Sequence, residues 1–401
     1  MKSVEIKPGI FWIGVIDRTT DLFEGLWSIE KVGVSYNSYL IQDEKTAVID
    51  LTKEMMSKDF LEQLSTRTDI RKIDYIVINH VEPDHTGIIG TFRDLAPQAT
   101  ILCSERARKM LDSFYDIREG IQTVADGETI SLGRHTLQFF STPNVHWPET
   151  IMTYEQTEQI LFSCDAFGGY GGMDTTIFDD DCEDILFHEQ EALRYYADIL
   201  CNYSRMVQKA IDRVSNIPIS IVAPSHGLVW RKDPTRIIQD YKRWAEYADT
   251  GGDNRISVIY GSMYGNTTRL MESVIDGIHS ENVEVKAMDV ARTDLSYILP
   301  ELWISRGILV SAPTYDATLY PPMTYALQMA LTKRIFNKKV ARIGSYGWGG
   351  GANRAFEALL PDLKWELVDS YDFVGVPKRQ DMAKGREFGA NFARIIKQIN
   401  N

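Results

Sequence analysis

His80-Val-Glu82-Pro-Asp84-His85 places two imidazoles and two carboxylates within six consecutive residues. The run follows Ile73-Asp-Tyr-Ile-Val-Ile-Asn79, which reads as a buried strand ending in a loop. His146, Asp165 and His226 come later, each in or just after a short apolar segment. The intervals from His85 onward are roughly 60, 20 and 60 residues. Seven donors suffice for two metal ions with open positions left over, and Asp165 is placed to bridge them. The set holds four His and three carboxylates and no thiolate. Nitrogen and hard oxygen donors suit iron or manganese, although affinity order alone does not exclude zinc. The chain has seven histidines and four fall in this pattern, which makes chance scatter of surface polar groups a poor account. His135, His188 and His279 stand outside it and read as ordinary packed or surface histidines.

A second constellation follows the apolar run Ile256-Ser-Val-Ile-Tyr260. The loop Gly261-Ser262-Met263-Tyr264-Gly265-Asn266-Thr267-Thr268 leads into a helix beginning near Arg269. Free backbone N–H groups and the positive end of a helix make an anion site. The loop has neither the Gly-Lys-Ser/Thr ending of an ATP-type loop nor Gly-x-Gly-x-x-Gly. Hydroxyls without a lysine suit a monophosphate such as that of FMN. Two further loops break strand-like runs: Ala312-Pro313-Thr314-Tyr315-Asp316 after Gly307–Ser311, and Tyr346-Gly347-Trp348-Gly349-Gly350-Gly351 after Val340–Ser345. Strand carboxyl ends are where doubly wound sheets bind ligands. Aromatic rings there can stack on a flat cofactor, with Trp348 the better candidate, and small residues admit its ring edge. Core packing is the commoner role of any single aromatic, but three such loops in one α/β pattern favour a flavin cleft.

The elements that must position these groups divide the chain. The 401 residues fit two or three domains. Up to about residue 250, strands alternate with a few helices. Phe11–Asp17, Tyr36–Gln42 and Thr46–Asp50 read as strands, and 54–64, 104–114 and 189–214 as helices. Ala248–Asn254 reads as a polar linker. Beyond it, strand and helix patterns alternate as in a parallel sheet with helices on both faces, closed by a helix over Met382–Ile399. A net charge of −13 argues against nucleic-acid and anionic-membrane partners. No apolar run approaches the roughly 18–20 residues of a membrane span. Cys103, Cys164, Cys182 and Cys201 form no Cys-x-x-Cys pair and read as reduced thiols of a cytoplasmic protein.

With these residues in view, the chain resembles the flavodiiron proteins over essentially its whole length. The lactamase-type hydrolase pattern is His-x-His-x-Asp-His, and Glu82 stands where its second histidine would be. The resemblance implies a metallo-β-lactamase-like αββα sandwich over 1–250 and a flavodoxin-like doubly wound parallel sheet over 254–401. It implies a non-haem diiron centre in which His80, Glu82 and His146 hold one iron, Asp84, His85 and His226 the other, and Asp165 bridges. It also implies FMN bound by Ser262–Thr267, Pro313–Asp316 and Ser345–Gly350. Activity would be reduction of O2 to water, NO to N2O, or both, with O2 the first expectation. Electrons would come from an external donor such as rubredoxin or a reduced deazaflavin. The working unit would be a head-to-tail homodimer or a dimer of dimers. One departure is Glu24, where several relatives carry a histidine near the metals. Two other classes compete: a metal-dependent hydrolase with an accessory flavodoxin domain, which Glu82 disfavours, and an FMN electron carrier with a degenerate first domain, which the intact ligand set disfavours.

Overall fold

The structure is a computed structural model that describes residues 2–399. It divides into two compact units, 1–242 and 243–401.

In the first unit, seven strands run in the order Val4–Lys7, Ile10–Trp12, Tyr39–Ile41, Thr46–Ile49, Ile73–Val77, Thr100–Cys103, Ile121–Thr123. The last four are mutually parallel. A second sheet of five runs Thr129–Ser131, Thr136–Ser141, Ile151–Glu155, Ile160–Cys164, Ile221–Pro224. The sheets pack together: the Tyr39 and Phe162 rings lie 4.9 Å apart, and Thr153 Oγ1 donates to Asn79 Oδ1 at 2.7 Å. The helix Glu105–Tyr115 packs on Ile121–Thr123 and the helix Ser204–Val214 on Thr136–Ser141, so helices lie on both sheets. Ile151–Glu155 and Ile160–Cys164, enclosed on both faces, are buried at every residue and mostly apolar.

Three segments differ from the sequence expectation. Phe11–Asp17 is two strands, Ile10–Trp12 and Val15–Asp17, in separate sheets. Gly14 makes the break: a Cβ there would fall 2.5 Å from the Tyr36 carbonyl. Tyr36–Gln42 is likewise split, because Asn37 leaves the ladder to donate to the Pro224 and Gly227 carbonyls. The expected helix 189–214 is Ile185–Tyr195 and Ser204–Val214, joined by a π-helical turn, Tyr196–Leu200, and a 3-10 turn. The 104–114 helix is found at Glu105–Tyr115, with Ser104 Oγ accepting from Ala107 N as its N-cap.

In the second unit, five parallel strands run Val285–Asp289, Asp253–Tyr260, Ser305–Tyr315, Lys339–Tyr346, Glu366–Val374. In chain order this is 2-1-3-4-5, the flavodoxin arrangement. The expected linker is short. Helix Pro234–Thr250 runs through residue 250, Gly251 and Gly252 turn with positive φ, and the strand starts at Asp253. Helices Asn266–Ser280 and Arg379–Lys397 pack so closely that a Cβ on Gly389 would fall 1.9 Å from the Val274 carbonyl. The third strand does not break at Pro313. It continues to Tyr315 because its end folds back onto Thr318–Leu319 through a two-residue turn, Asp316-Ala317, with both φ positive.

Candidate metal centre and flavin cleft

All seven expected ligands stand where strands of the first unit end. His80 to His85 follow Ile73–Val77, Asp165 follows Ile160–Cys164, and His226 follows Ile221–Pro224. His146 lies in the loop between Thr136–Ser141 and Ile151–Glu155. Donor atoms of His80, Glu82, His146 and Asp165 fall within 4.8 Å of one another, and so do those of Asp84, His85 and His226. Asp165 links the groups. Its Oδ2 is 3.5 Å from His80 Nε2 and 3.6 Å from His146 Nε2, while its Oδ1 is 3.1 Å from His85 Nε2 and 3.4 Å from His226 Nε2. Glu82 Oε2 sits 3.1 Å from both His80 Nε2 and His146 Nε2.

These approaches are too poorly aligned to satisfy the site from within. Both oxygens of Asp84 and of Asp165, with His85 Nε2 and His226 Nε2, are buried without a hydrogen-bond partner among the described residues. Orphaned donors of this kind converge only where something else completes them. A pair of divalent cations fits both their number and their chemistry.

The charges follow the same geometry. Burial opposes ionisation of Asp165, but the His85 charge and the close approach of the His226, His85 and His80 imidazoles outweigh it and hold its carboxyl well below the usual range. Burial opposes a charge on His226 too, yet Asp165 and Asp84 push it up to about 10. A dication at the centre would take over the role those protons play, and would hold the carboxylates ionised and the imidazoles neutral.

Several residues that support the ligands were not singled out from the sequence. Glu149 Oε1 accepts from His80 Nδ1 at 2.6 Å and from Val81 N at 3.0 Å. His226 Nδ1 donates to the Ser35 carbonyl at 2.8 Å. Asp50 and Cys164 lie within 4.8 Å of a ring nitrogen of His85. The rings of Phe23, Tyr36 and Tyr195 pack on His226 with centroids 5.5, 5.8 and 5.6 Å away. Glu24 is exposed and accepts from Trp27 Nε1 at 3.1 Å. Of the histidines set aside, His135 is buried against Glu155 at 3.1 Å, His188 is half-buried and His279 is exposed.

In the second unit the expected loops enclose a cleft of about 660 Å³. Ser262, Met263, Tyr264, Asn266 and Thr267 line it at one loop. Pro313, Thr314, Tyr315 and Asp316 line it at the next, and Ser345, Tyr346, Gly347, Trp348 and Gly349 at the third. Gly265 and Gly350 do not line the cleft. Gly265, at φ 85°, is the N-cap of the helix Asn266–Ser280, and Gly350 lies in open space. Ala317 and Gly375 join the lining, the latter from the end of Glu366–Val374. The 15-residue helix aims its N-terminus at the cleft. Ser262 Oγ accepts from Gly265 N at 3.0 Å, and Thr267 Oγ1 meets Ser345 Oγ at 2.8 Å, tying the first loop to the third. Trp348 is 100% exposed and Tyr264 90% exposed, two large rings with no packing of their own. A monophosphate at the helix and a flat ring between the aromatics fit this lining.

Comparison with known proteins bears on both sites. Residues 34–227 match the ODP family beta lactamase model and residues 258–386 the Flavodoxin model. A nitric oxide reductase from Moorella thermoacetica is 34% identical over 98% of this chain and 99% of its own length. The chain belongs to the flavodiiron protein family. Rubredoxin oxygen:oxidoreductase from Desulfovibrio gigas superposes with a TM-score of 0.92 at 27% identity, covering 99% of each chain. The flavodiiron protein from Giardia intestinalis gives 0.92 at 26% identity over 99% of this chain and 97% of that one. This flavodiiron protein is therefore an oxidoreductase built from a metallo-β-lactamase-like part and a flavodoxin part, and the hydrolase alternative is not favoured. No helix among the described residues is long and apolar enough to cross a membrane.

Proposed function

We propose that this flavodiiron protein reduces O2 to water, NO to N2O, or both. The iron pair would be held by His80, Glu82, His146, Asp84, His85, His226 and Asp165, and FMN would lie in the cleft lined by Ser262–Tyr264, Asn266, Thr267, Pro313–Asp316 and Ser345–Gly349. The observation that carries this is Asp165: a buried carboxylate with each oxygen facing a different histidine group and neither satisfied. Relatives named for nitric oxide reduction and for oxygen reduction support the gas chemistry. Bound iron and reduced flavin supply the electrons that these reductions need.

The chain's own residues do the rest. Asp165 fixes the spacing of the two histidine groups. Glu82 takes the place that a histidine holds in the hydrolase pattern and brings a hard anionic donor. Phe23, Tyr36 and Tyr195 wall off the His226 side, so water has little access from there. Ser262, Thr267 and the helix N-terminus would grip a phosphate, and Trp348 would cover a ring.

By family resemblance, the working unit is a head-to-tail homodimer or a dimer of dimers, in which the flavin of one chain serves the metals of its partner. The donor is a small carrier such as rubredoxin or a reduced deazaflavin. The division of labour places the metals in residues 1–250 and the flavin in 254–401. Four cysteines, three of them buried and none in a Cys-x-x-Cys pair, support a reducing, cytoplasmic setting. Purified protein assayed for iron, zinc and FMN, then for O2 and NO consumption under a reduced donor, tests the whole reading. Iron with FMN and gas uptake is expected; zinc with no gas uptake would return the chain to the hydrolases.

A further inference from the structure

The two histidine groups are held differently from behind. His80 has its Nδ1 on a carboxylate: Glu149 Oε1, at 2.6 Å, with both side chains fully buried. The same oxygen accepts from Val81 N, and Glu149 Oε2 has no partner among the described residues. Its charge is thus shared with no other cation. His226, on the other side, has its Nδ1 on a neutral backbone carbonyl, that of Ser35. Asp50 stands near His85, but its oxygens already take Asn79 N, Asn79 Nδ2 and Ser225 Oγ.

The segment His146-Trp147-Pro148-Glu149 concentrates this support on one position. It supplies a donor, His146, and Glu149 behind His80. It also supplies Trp147, whose ring stands edge-on to His80 with centroids 5.0 Å apart. Its end is anchored independently, since Ser104 Oγ donates to the Glu149 carbonyl at 2.7 Å and Ile151 N to the Asn79 carbonyl at 3.0 Å. A carboxylate behind an imidazole fixes the proton on Nδ1, aims the Nε2 lone pair forward and makes the ring a stronger donor than a carbonyl does.

We propose that Glu149 is a positioning residue that makes the metal position of His80, Glu82 and His146 hold its ion more tightly than the position of Asp84, His85 and His226. The inference rests on the diiron reading above. It implies two binding positions of unequal grip, one retained and one exchangeable, in a site whose ligand counts are alike.

The test follows metal loss from the anaerobic, iron-loaded full chain challenged with a chelator, with FMN content and circular dichroism as checks on folding. Wild type should release its iron in two phases. Asp84→Ala should abolish the fast phase and leave the slow one. Glu149→Gln should accelerate the slow phase alone, in wild type and in the Asp84→Ala background, with retention lowered roughly 10–100-fold. A single phase in wild type overturns the inference without any variant. It is also overturned if Glu149→Gln speeds both phases equally, as a merely structural role would, or speeds only the fast one. A wild-type chain that keeps its FMN but takes up no iron removes the diiron reading itself, a result distinct from the other three.

Discussion

The metal centre and the flavin cleft are built on opposite terms. At the candidate metal centre the expected ligand side chains are at most 15% exposed, and His80 and His226 are each oriented by a hydrogen bond at Nδ1. Around the flavin cleft Trp348 and Tyr264 stand almost wholly in solvent. The difference follows from what each ligand brings. A metal ion brings charge and no shape, so the polypeptide must crowd carboxylates and imidazoles together in advance, against their own desolvation. A flavin brings a large flat apolar surface. Its loops need only a fixed phosphate end and can leave their rings to close on the cofactor. Desolvated polar groups therefore concentrate at the metal centre and exposed rings at the flavin cleft.

The largest effect is expected at Asp165. Asp165→Ala removes the only carboxylate among the described residues that faces both histidine groups, and with it the anion that would offset the charge at both metal positions. Gas reduction should fall by more than about 100-fold, with iron lost and FMN retained. Assays of iron, FMN and gas uptake check it. Full activity in this variant would mean that the site is wrongly drawn.

At the flavin end the expected loss is smaller and of the opposite kind. Removing the Ser262 or Thr267 hydroxyl should weaken FMN binding roughly 10–150-fold each, the worth of a hydrogen bond to a charged group. Thr267→Val also cuts the tie to Ser345 and should be the worse of the two. Fluorescence titration of FMN measures the effect, and iron content should be unchanged.

The two variants together test whether the centres cooperate across chains. Asp165→Ala and the Ser262/Thr267 double variant are each inactive alone. Mixed in equal amounts and allowed to exchange, half the dimers would be hybrids with one intact flavin–metal pair, which restores roughly a quarter of wild-type activity. Verified exchange with no recovery would confine electron transfer to a single chain.

The contrast also explains what could be read from the sequence. The ligands were legible because four of them crowd one short run after an apolar strand, and the rest recur after further apolar runs. The parallel sheet of the second unit, with helices on both faces, followed from its regular alternation, and the Ser262–Thr267 loop from its hydroxyls ahead of a helix. Glu149 was not legible, because a glutamate three residues past a ligand looks like any surface glutamate until the fold turns it behind His80. The π-helical turn at Tyr196–Leu200 carries no glycine or proline to announce it. Gly14 was visible, but its meaning depends on the Tyr36 carbonyl brought against it by the fold. Gly375 stands directly after the fifth strand of the second unit, where the strand-end rule that located the other loops applies equally, but the exposed, polar-rich pattern of that strand hides its end. Tertiary contact, rather than local pattern, decides in most of these cases.

The smallest effect is expected at the exposed ring of the flavin cleft. Trp348 has no packing of its own to lose, so Trp348→Ala should leave folding stability unchanged within the roughly 0.5 kcal/mol typical of exposed positions. If the ring stacks on the flavin, its loss removes about 0.5–1.5 kcal/mol, a roughly 2–13-fold weakening of FMN binding. A stacked indole also disfavours the anionic reduced flavin, because its electron-rich face lies against the ring that gains charge. Trp348→Ala should therefore raise the midpoint of the couple that forms that anion, while Trp348→Phe lies between. Spectroelectrochemical titration reads the shift, and iron content serves as the internal control. An unchanged potential, with FMN bound as tightly as before, would show that Trp348 stands clear of the flavin and that its exposure serves some other contact.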